Sequence, residues 1–425
     1  MYYGSEKLFF DVPDGAECTV YKPKFIEGSE DEERTIREAI EHPIGIKLSQ
    51  LVDESKRVCI ISDDISRSTP VDRVLKVLLP YLIKLGVKKE NIFFVMALGS
   101  HRLMTEEEIK SKLGTEVVSD YPVFQSAFKS PEELLYLGNT EEDGIPITIS
   151  KVVMDSDVRI GIGNIVPHNT LGWSGGCKIL FPGVTSEDTV CKFHLRAMMR
   201  SDEIIFGNPN NSIRLDLERW TKLIGLSYII NTVLTGTGRI YKVVAGDYVQ
   251  AHRQGVKYAE DVYAVAVPER PDIVVVDSHP SDCDFWQGTK GFNPANVLLE
   301  EGGTALLISP FYEGVGPHRE YPYMIGCDDA SNVLERMCCG DPEGLDEMDA
   351  LAVAVGALIS RMRQKFELIV YSEGISDKYL NMARIKHSTD VSRTLAELNE
   401  KKYNGHAKIA VLRCGAEIVP IIECR

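Results

Sequence analysis

The sequence has no apolar stretch approaching the roughly 18 residues that a membrane-spanning helix needs. Its first residues, Met1 to Lys7, contain no basic stretch leading into an apolar run. The expectation is a chain that is neither exported nor embedded in a membrane. Paired cysteine spacing is also missing. Ten cysteines are scattered along the chain, and the adjacent Cys338-Cys339 suits neither a zinc motif nor a disulfide framework. A reduced, cytoplasmic setting is expected, with the thiols acting as small buried hydrophobes. Basic residues are short in number, 47 Lys and Arg against 63 Asp and Glu, a net charge of -16. That field repels a phosphate backbone and excludes nucleic acid as a partner, and it admits a small anion only where Arg and Lys cluster locally. Internal repeats, charge blocks and low-complexity tracts are absent, which excludes a solenoid.

What is present is enough for two domains, since 425 residues at 44% hydrophobic exceed the usual size of one core. Short β-rich apolar runs alternate with stretches of helical period, the pattern of parallel strands joined by crossover helices. A strand at Arg57–Ser62, a helix over about Val71–Leu85 and a strand at Asn91–Ala97 form one such unit, and a third strand is expected at Val158–Gly161. Tyr228–Thr235 and Arg239–Ala245 flank Gly236-Thr237-Gly238 and read as an antiparallel hairpin, followed by a helix over about Val249–Val262. Pro268-Glu269-Arg270-Pro271 punctuates the chain before a strand at Asp272–Asp277. Strands at Thr304–Ser309, Glu367–Tyr371 and Lys408–Arg413 then alternate with helices near Asn293–Glu300, Glu347–Arg363 and Val391–Lys401. The expected architecture is two α/β domains with mainly parallel sheets and an active-site cleft between them. Residues 1–266 would form the N-terminal catalytic domain and 267–425 the C-terminal one, whose last segment could pack back on the first. Oligomeric state is not readable from these patterns.

Each of the first three strands runs into a polar loop, and ligands of open parallel sheets bind where such loops gather. After the first strand comes Ser62-Asp63-Asp64-Ile65-Ser66-Arg67-Ser68-Thr69-Pro70. Arg67 can grip a carboxylate through two parallel hydrogen bonds, and Asp64 can orient it or bind a substrate hydroxyl. Ser68 or Thr69 before Pro70 also makes a helix start, and the two uses are compatible. After the second strand, Gly99-Ser100-His101-Arg102 places a histidine at the strand end, followed by a capping box from Thr105 to Glu108. After the third, Gly172, Ser174, Gly175 and Gly176 form a loop that could aim backbone N–H groups at an anion, or simply be a tight turn. It fits neither phosphate-loop template. Lys178 lies between these glycines and an apolar run, where desolvation would lower its pKa. It could be a covalent anchor or a phosphate partner, and its setting leaves both open. His168 and His194 add two imidazoles suited to proton transfer or to a transition metal. In the second half, Asp284-Phe285-Trp286-Gln287-Gly288-Thr289-Lys290 offers an apolar wall, an amide and a cation, or a plain solvent-facing loop.

Together these segments resemble the lactate racemase family, whose members combine a D-x-[ST]-R loop (Asp64 to Arg67), a G-x-H-R-x-x-T loop (Gly99 to Thr105), a P-H-x-x-x-G-x-S-G-G-x-K segment (Pro167 to Lys178) and a downstream histidine, His194. The likeness continues through Phe206-Gly207-Asn208-Pro209, Ala245-Gly246-Asp247 and Gln287-Gly288-Thr289-Lys290. The resemblance implies racemisation or epimerisation of a 2-hydroxy acid by hydride transfer to and from a nickel-pincer nucleotide. That cofactor is a pyridinium-3-thioamide-5-thiocarboxylic acid mononucleotide. It implies that Lys178 carries the cofactor covalently, with Gly172, Ser174, Gly175, Gly176 and Trp286 around it, and that His194 ligates the nickel. His101 and His168 would be the acid/base pair, and Asp64, Arg67, Gln287 and Lys290 the substrate-binding groups. Nickel-cofactor biosynthesis proteins would be transient partners. Members acting on lactate carry a Trp near the start of the helix that begins here around Glu347, but the tryptophans of this chain stand at 173, 220 and 286. Trp286 occupies a position where some relatives have Tyr. Lactate is therefore doubtful as the substrate. Competing readings are a nucleotide-dependent dehydrogenase or lyase, and a non-catalytic hydroxy-acid-binding protein.

Overall fold

The computed structural model describes residues 1–126, 128–200, 205–340 and 348–423. It divides into two compact units. One comprises Phe25–Phe193 and Asn208–Val262, and the other Met1–Lys24, His194–Gly207 and Tyr263–Arg425.

The first of these is built on a six-stranded sheet in the spatial order Ile240–Gly246, Tyr228–Leu234, Val158–Asn164, Val58–Asp63, Ile92–Ala97, Val123–Gln125. The expected hairpin is antiparallel, and every other pair is parallel. The central strands are buried along their length, as the unbroken apolar runs VCIIS and IFFVMA require of strands covered on both faces. The helix Val71–Lys84 lays Val71, Val74, Leu75, Leu78 and Leu82 into the core at helical spacing. Register matters most for function. Asp63 pairs with Ala97, and Thr232 with Asn164, so the loops after these parallel strands leave the same edge of the sheet.

The other unit holds a second six-stranded sheet, all parallel, in the order Lys386–Ser388, Glu367–Tyr371, Thr304–Ile308, Ile273–Asp277, Lys408–Leu412, Glu17–Tyr21. Its core gathers Val274, Val276, Leu307, Phe285, Phe292, Phe311 and Tyr321. The first 24 residues thus join the C-terminal unit instead of a domain spanning 1–266, because Glu17–Tyr21 completes the edge of that sheet beside Lys408–Leu412. Local sequence specifies a strand but not its neighbour, so this pairing was invisible in the pattern. The last strand, Val419–Ile422, pairs with Ala264–Val267 inside the same unit.

Two boundaries differ from expectation. The helix placed over Glu347–Arg363 is observed as Ala350–Lys365, capped by Asp349, and Glu347 lies outside the described residues. Neither Ser68 nor Thr69 caps the helix that begins at Val71. The Thr69 hydroxyl is drawn instead to the Asp63 carboxylate, a stronger acceptor than a backbone group. Among the described residues no helix is long and apolar enough to cross a membrane.

Candidate active site

Three strand-end loops of the Phe25–Val262 unit bring Asp64, Arg67, His101 and Lys178 to one edge of its sheet. The first loop is braced from within. Lys112, 4% exposed at its side chain, pairs with Asp63 Oδ1 at 2.9 Å and donates to the Arg67 carbonyl at 2.6 Å. Asp64 is buried and accepts from the Ser66 N–H at 2.8 Å, from the Ser66 hydroxyl, and from His101 Nδ1 at 2.6 Å. Burial would push its carboxyl up, but the bond and charge of His101, Ser66 and Arg67 outweigh that and hold it well below the usual carboxylate range. A carboxylate only accepts, so Nδ1 must be the donor and the neutral His101 ring keeps its lone pair on Nε2.

His168 has the opposite arrangement. It follows the Val158–Asn164 strand in the short pairing of Pro167-His168 with Gly172-Trp173. Its Nδ1 accepts the Thr170 N–H at 3.2 Å, so the neutral ring carries its proton on Nε2.

The glycine loop differs from the anion cradle considered above. The Ser174 N–H is taken by the Val166 carbonyl at 2.8 Å and the Gly176 N–H by Asn231 Oδ1 at 2.7 Å. Its carbonyls face buried donors. Arg214, fully buried, donates to the carbonyls of Trp173 and of Gly175, the latter at 3.2 Å. His252, equally buried, donates from Nε2 to the Ser174 carbonyl at 2.9 Å. Burial and the charge of Arg214 drive the His252 imidazole well below its ordinary pKa, so it is neutral, and its Nδ1 accepts from Arg253, which grips Glu218 with both arms. The glycines permit this close seating. Gly172 has φ +74°, and a Cβ there would meet the Asn208 carbonyl oxygen at 2.0 Å; at Gly175, also φ +74°, it would meet Asn231 Oδ1 at 2.8 Å. The loop is a fixed shelf, and Lys178 stands on the single 3₁₀ turn, Gly176–Ile179, that leaves it.

Lys178 is partly buried. Burial first, then the charge of Arg67, lower its ammonium to about 7, against the opposing pull of Asp64 and Asp63. Neither its amine nor the Arg67 guanidinium has a hydrogen-bond or ion-pair partner among the described residues. The segment is tied to the His101 loop through Gly183, whose carbonyl accepts the Gly99 N–H at 2.9 Å while its own N–H reaches the Lys178 carbonyl at 3.3 Å.

His194 is partly buried on the helix Glu187–Met198, where the chain passes from one unit into the other. It is grouped with the C-terminal unit, as are Trp286, Gln287 and Lys290. Gln287 lies in the short helix Phe285–Gly288, its N–H donating to the capping Asp284 Oδ1 at 2.6 Å, and its side-chain oxygen accepts from Lys290. No three His, Cys, Asp or Glu side chains gather as a metal site among the described residues.

Sequence reasoning passed over Arg214, His252, Asn231 and Lys112. A signal existed for two of them. Arg214 falls on the buried stripe of its helix with Leu217, Glu218 and Thr221, and His252 on the stripe of Gly255, Val256 and Ala259. A charged or polar side chain on an otherwise buried face needs partners, and here the partners are the carbonyls of the loop.

Comparison with known proteins identifies the family. Residues 3–206 match the lactate racemase N-terminal domain and residues 267–420 the lactate racemase C-terminal domain. The lactate racemase of Thermoanaerobacterium thermosaccharolyticum is 25% identical over 425 residues, covering 98% of this chain and 97% of that protein. The lactate racemase of Lactiplantibacillus plantarum is 28% identical over 309 residues, 72% of each chain. The solved apoprotein of the Thermoanaerobacterium enzyme superposes with a TM-score of 0.86 at 24% identity, covering 99% of this chain and 98% of the other, a likeness of fold. The chain belongs to the lactate racemase family, the isomerases that act on 2-hydroxy acids with a nickel-pincer nucleotide.

Proposed function

We propose that this chain racemises or epimerises a 2-hydroxy acid with His101 and His168 as its acid/base pair and Lys178 as the covalent anchor of its cofactor. The observation that carries the proposal is the Lys178 amine, lowered to about 7 and without a partner, on a shelf shared with the His101 loop. Such an amine is half neutral near pH 7 and can be acylated, as attachment through a thioamide requires. When bound, the pincer nucleotide supplies a reversible hydride acceptor for the substrate C2. A nickel ion held through His194 would take its other ligands from the nucleotide.

The protein's own part is binding and proton transfer. Arg67 anchors the substrate carboxylate with Lys290 and Gln287, and Asp64 holds His101 with its Nε2 lone pair ready to take the hydroxyl proton. His168 serves the other face. To hold a proton on both nitrogens it must release the Thr170 N–H, a bond of about 0.5–1.5 kcal/mol net. Gly172, Ser174, Gly175 and Gly176 form the shelf under the cofactor, and Trp286 offers it a flat apolar wall. Nickel-cofactor biosynthesis proteins are the transient partners that deliver it.

The test is to produce the chain together with nickel-cofactor biosynthesis proteins, measure its intact mass, and follow optical rotation with both enantiomers of several 2-hydroxy acids. A covalent adduct at Lys178 with loss of optical rotation is expected. A chain that gains no adduct under those conditions overturns the proposal.

A further inference from the structure

The turn from Asp284 to Gly291 has one open face. Phe285, Gly288 and Thr289 are buried, whereas Trp286, Gln287 and Lys290 remain partly exposed. The Trp286 indole is fixed from two directions. Tyr321 meets it edge-on with ring centroids 4.8 Å apart, and the Tyr321 hydroxyl is itself tied to Thr289 Oγ1 at 2.6 Å. Against the indole lies His318, at a centroid distance of 4.1 Å.

His318 is oriented as firmly as His101. Its Nδ1 is bonded to Asp349 Oδ2, and the other oxygen of Asp349 accepts the Leu351 and Ala352 N–H groups at the start of the helix Ala350–Lys365. Burial raises the Asp349 carboxyl, but the bond and charge of His318 and the two backbone donors more than offset it and keep it a carboxylate. The neutral ring must therefore donate from Nδ1 and present a lone pair at Nε2. Nothing among the described residues donates to Nε2, and the side chain is only 15% exposed. An acceptor that is open at Nε2, beside a tryptophan wall and next to an amide and a lysine that can hold a carboxylate, can take a donor from a ligand. A methyl group has none and a carboxylate has none, but a hydroxyl does.

We propose that His318 is a specificity-determining residue that accepts a hydrogen bond from a hydroxyl on carbon 3 of the substrate, which makes the substrate class 2,3-dihydroxy acids. This rests on the function proposed above, with Gln287 and Lys290 at the substrate carboxylate. A site built to bond a substrate hydroxyl discriminates strongly against the analogue lacking it, because its own polar group is then left unpaired.

The test compares lactate, glycerate and malate, which share the 2-hydroxy acid core and carry on carbon 3 only hydrogen, a hydroxyl or a second carboxylate. With adduct-bearing protein at pH 8, kcat/KM for glycerate should exceed that for the other two by about 100-fold or more. His318→Phe keeps a ring against Trp286 and removes the acceptor, so the ratio of glycerate to lactate should collapse toward one. His318→Gln, which retains an acceptor, should restore part of it. Asp349→Asn can still cap its helix but frees the His318 tautomer, and it should lower the ratio without abolishing it. Wild-type protein that uses lactate or malate as well as glycerate overturns the inference. So does a His318→Phe variant that, folded by thermal melting, slows all three acids equally. Adduct-bearing protein that racemises none of the acids defeats the proposed function along with it, whereas equal use of all three defeats only the role of His318.

Discussion

His101 Nδ1 stands 2.6 Å from Asp64 Oδ2, and the carboxylate fixes which nitrogen of the ring can act as a base. Replacing His101 by Ala should reduce racemisation by about 10²- to 10⁴-fold, the usual worth of a positioned acid/base group. The Lys178 adduct should persist, since His101 does not touch the amine's attachment chemistry. Asp64→Asn should cost on the order of 10²-fold or more, because an amide can also donate and no longer imposes the productive tautomer. Steady-state rates paired with intact mass check both. Loss of the adduct in His101→Ala would mean that the residue serves structure instead of proton transfer.

Lys178 gives a prediction that needs no cofactor. Its folded pKa is lowered to about 7, whereas an ordinary lysine remains protonated to about 10.4. Above pH 7 the amine is therefore mostly neutral and nucleophilic, and below it mostly ammonium. Brief acylation of the unloaded chain, followed by peptide mass mapping, should label Lys178 with a midpoint near pH 7, well below the pH at which an ordinary exposed lysine reacts. The linkage sign follows from the same shift. Between about pH 7 and 10.4 the unfolded chain holds the extra proton, so the Lys178 contribution to stability rises with pH across that window and is at its lowest below it.

The alternation of apolar runs located the central strands to within three residues, and strand-end position singled out Asp64, Arg67, His101 and Lys178. What stayed hidden is long-range. The pairing of Glu17–Tyr21 with Lys408–Leu412 joins segments almost 400 residues apart, and no local pattern encodes a strand's partner. The inverted reading of the glycine loop has the same origin. Its composition says that backbone approaches something closely, and only the positions of Arg214, His252 and Asn231 reveal that its carbonyls face inward. The His318 and Asp349 pair is hidden likewise, since 31 residues separate two side chains that are meaningful only in contact.

The Arg67 guanidinium has no hydrogen-bond or ion-pair partner among the described residues, which suits a group that receives its carboxylate from the substrate. Arg67→Lys preserves the charge but not the planar fork. A charge-assisted hydrogen bond is worth about 1.5–3 kcal/mol, so losing one arm should raise KM by roughly 10- to 100-fold. The effect on kcat should be smaller, because the carboxylate is held in both ground and transition states. Initial-rate curves for adduct-bearing Arg67→Lys would show this split. An unchanged KM would remove Arg67 from the binding site.

Arg214 is the cation under the glycine shelf, and its donors reach the carbonyls of Trp173 and Gly175 with no carboxylate bonded to it among the described residues. Arg214→Met fills similar space but leaves both carbonyls without a donor in a buried setting. Each such group costs about 1–3 kcal/mol, so the urea midpoint should fall markedly while the slope of the transition is retained. His252→Leu removes the donor to the Ser174 carbonyl and should show about half that loss. The functional consequence follows from rigidity. A shelf with unpaired carbonyls turns toward water, and Lys178, two residues beyond Gly176, loses its fixed direction and the burial that lowers its pKa. The labelling midpoint of Lys178 in Arg214→Met should move up from about 7 toward that of a free lysine. A destabilised variant in which that midpoint stays near 7 would show that Arg214 supports the fold without positioning the anchor.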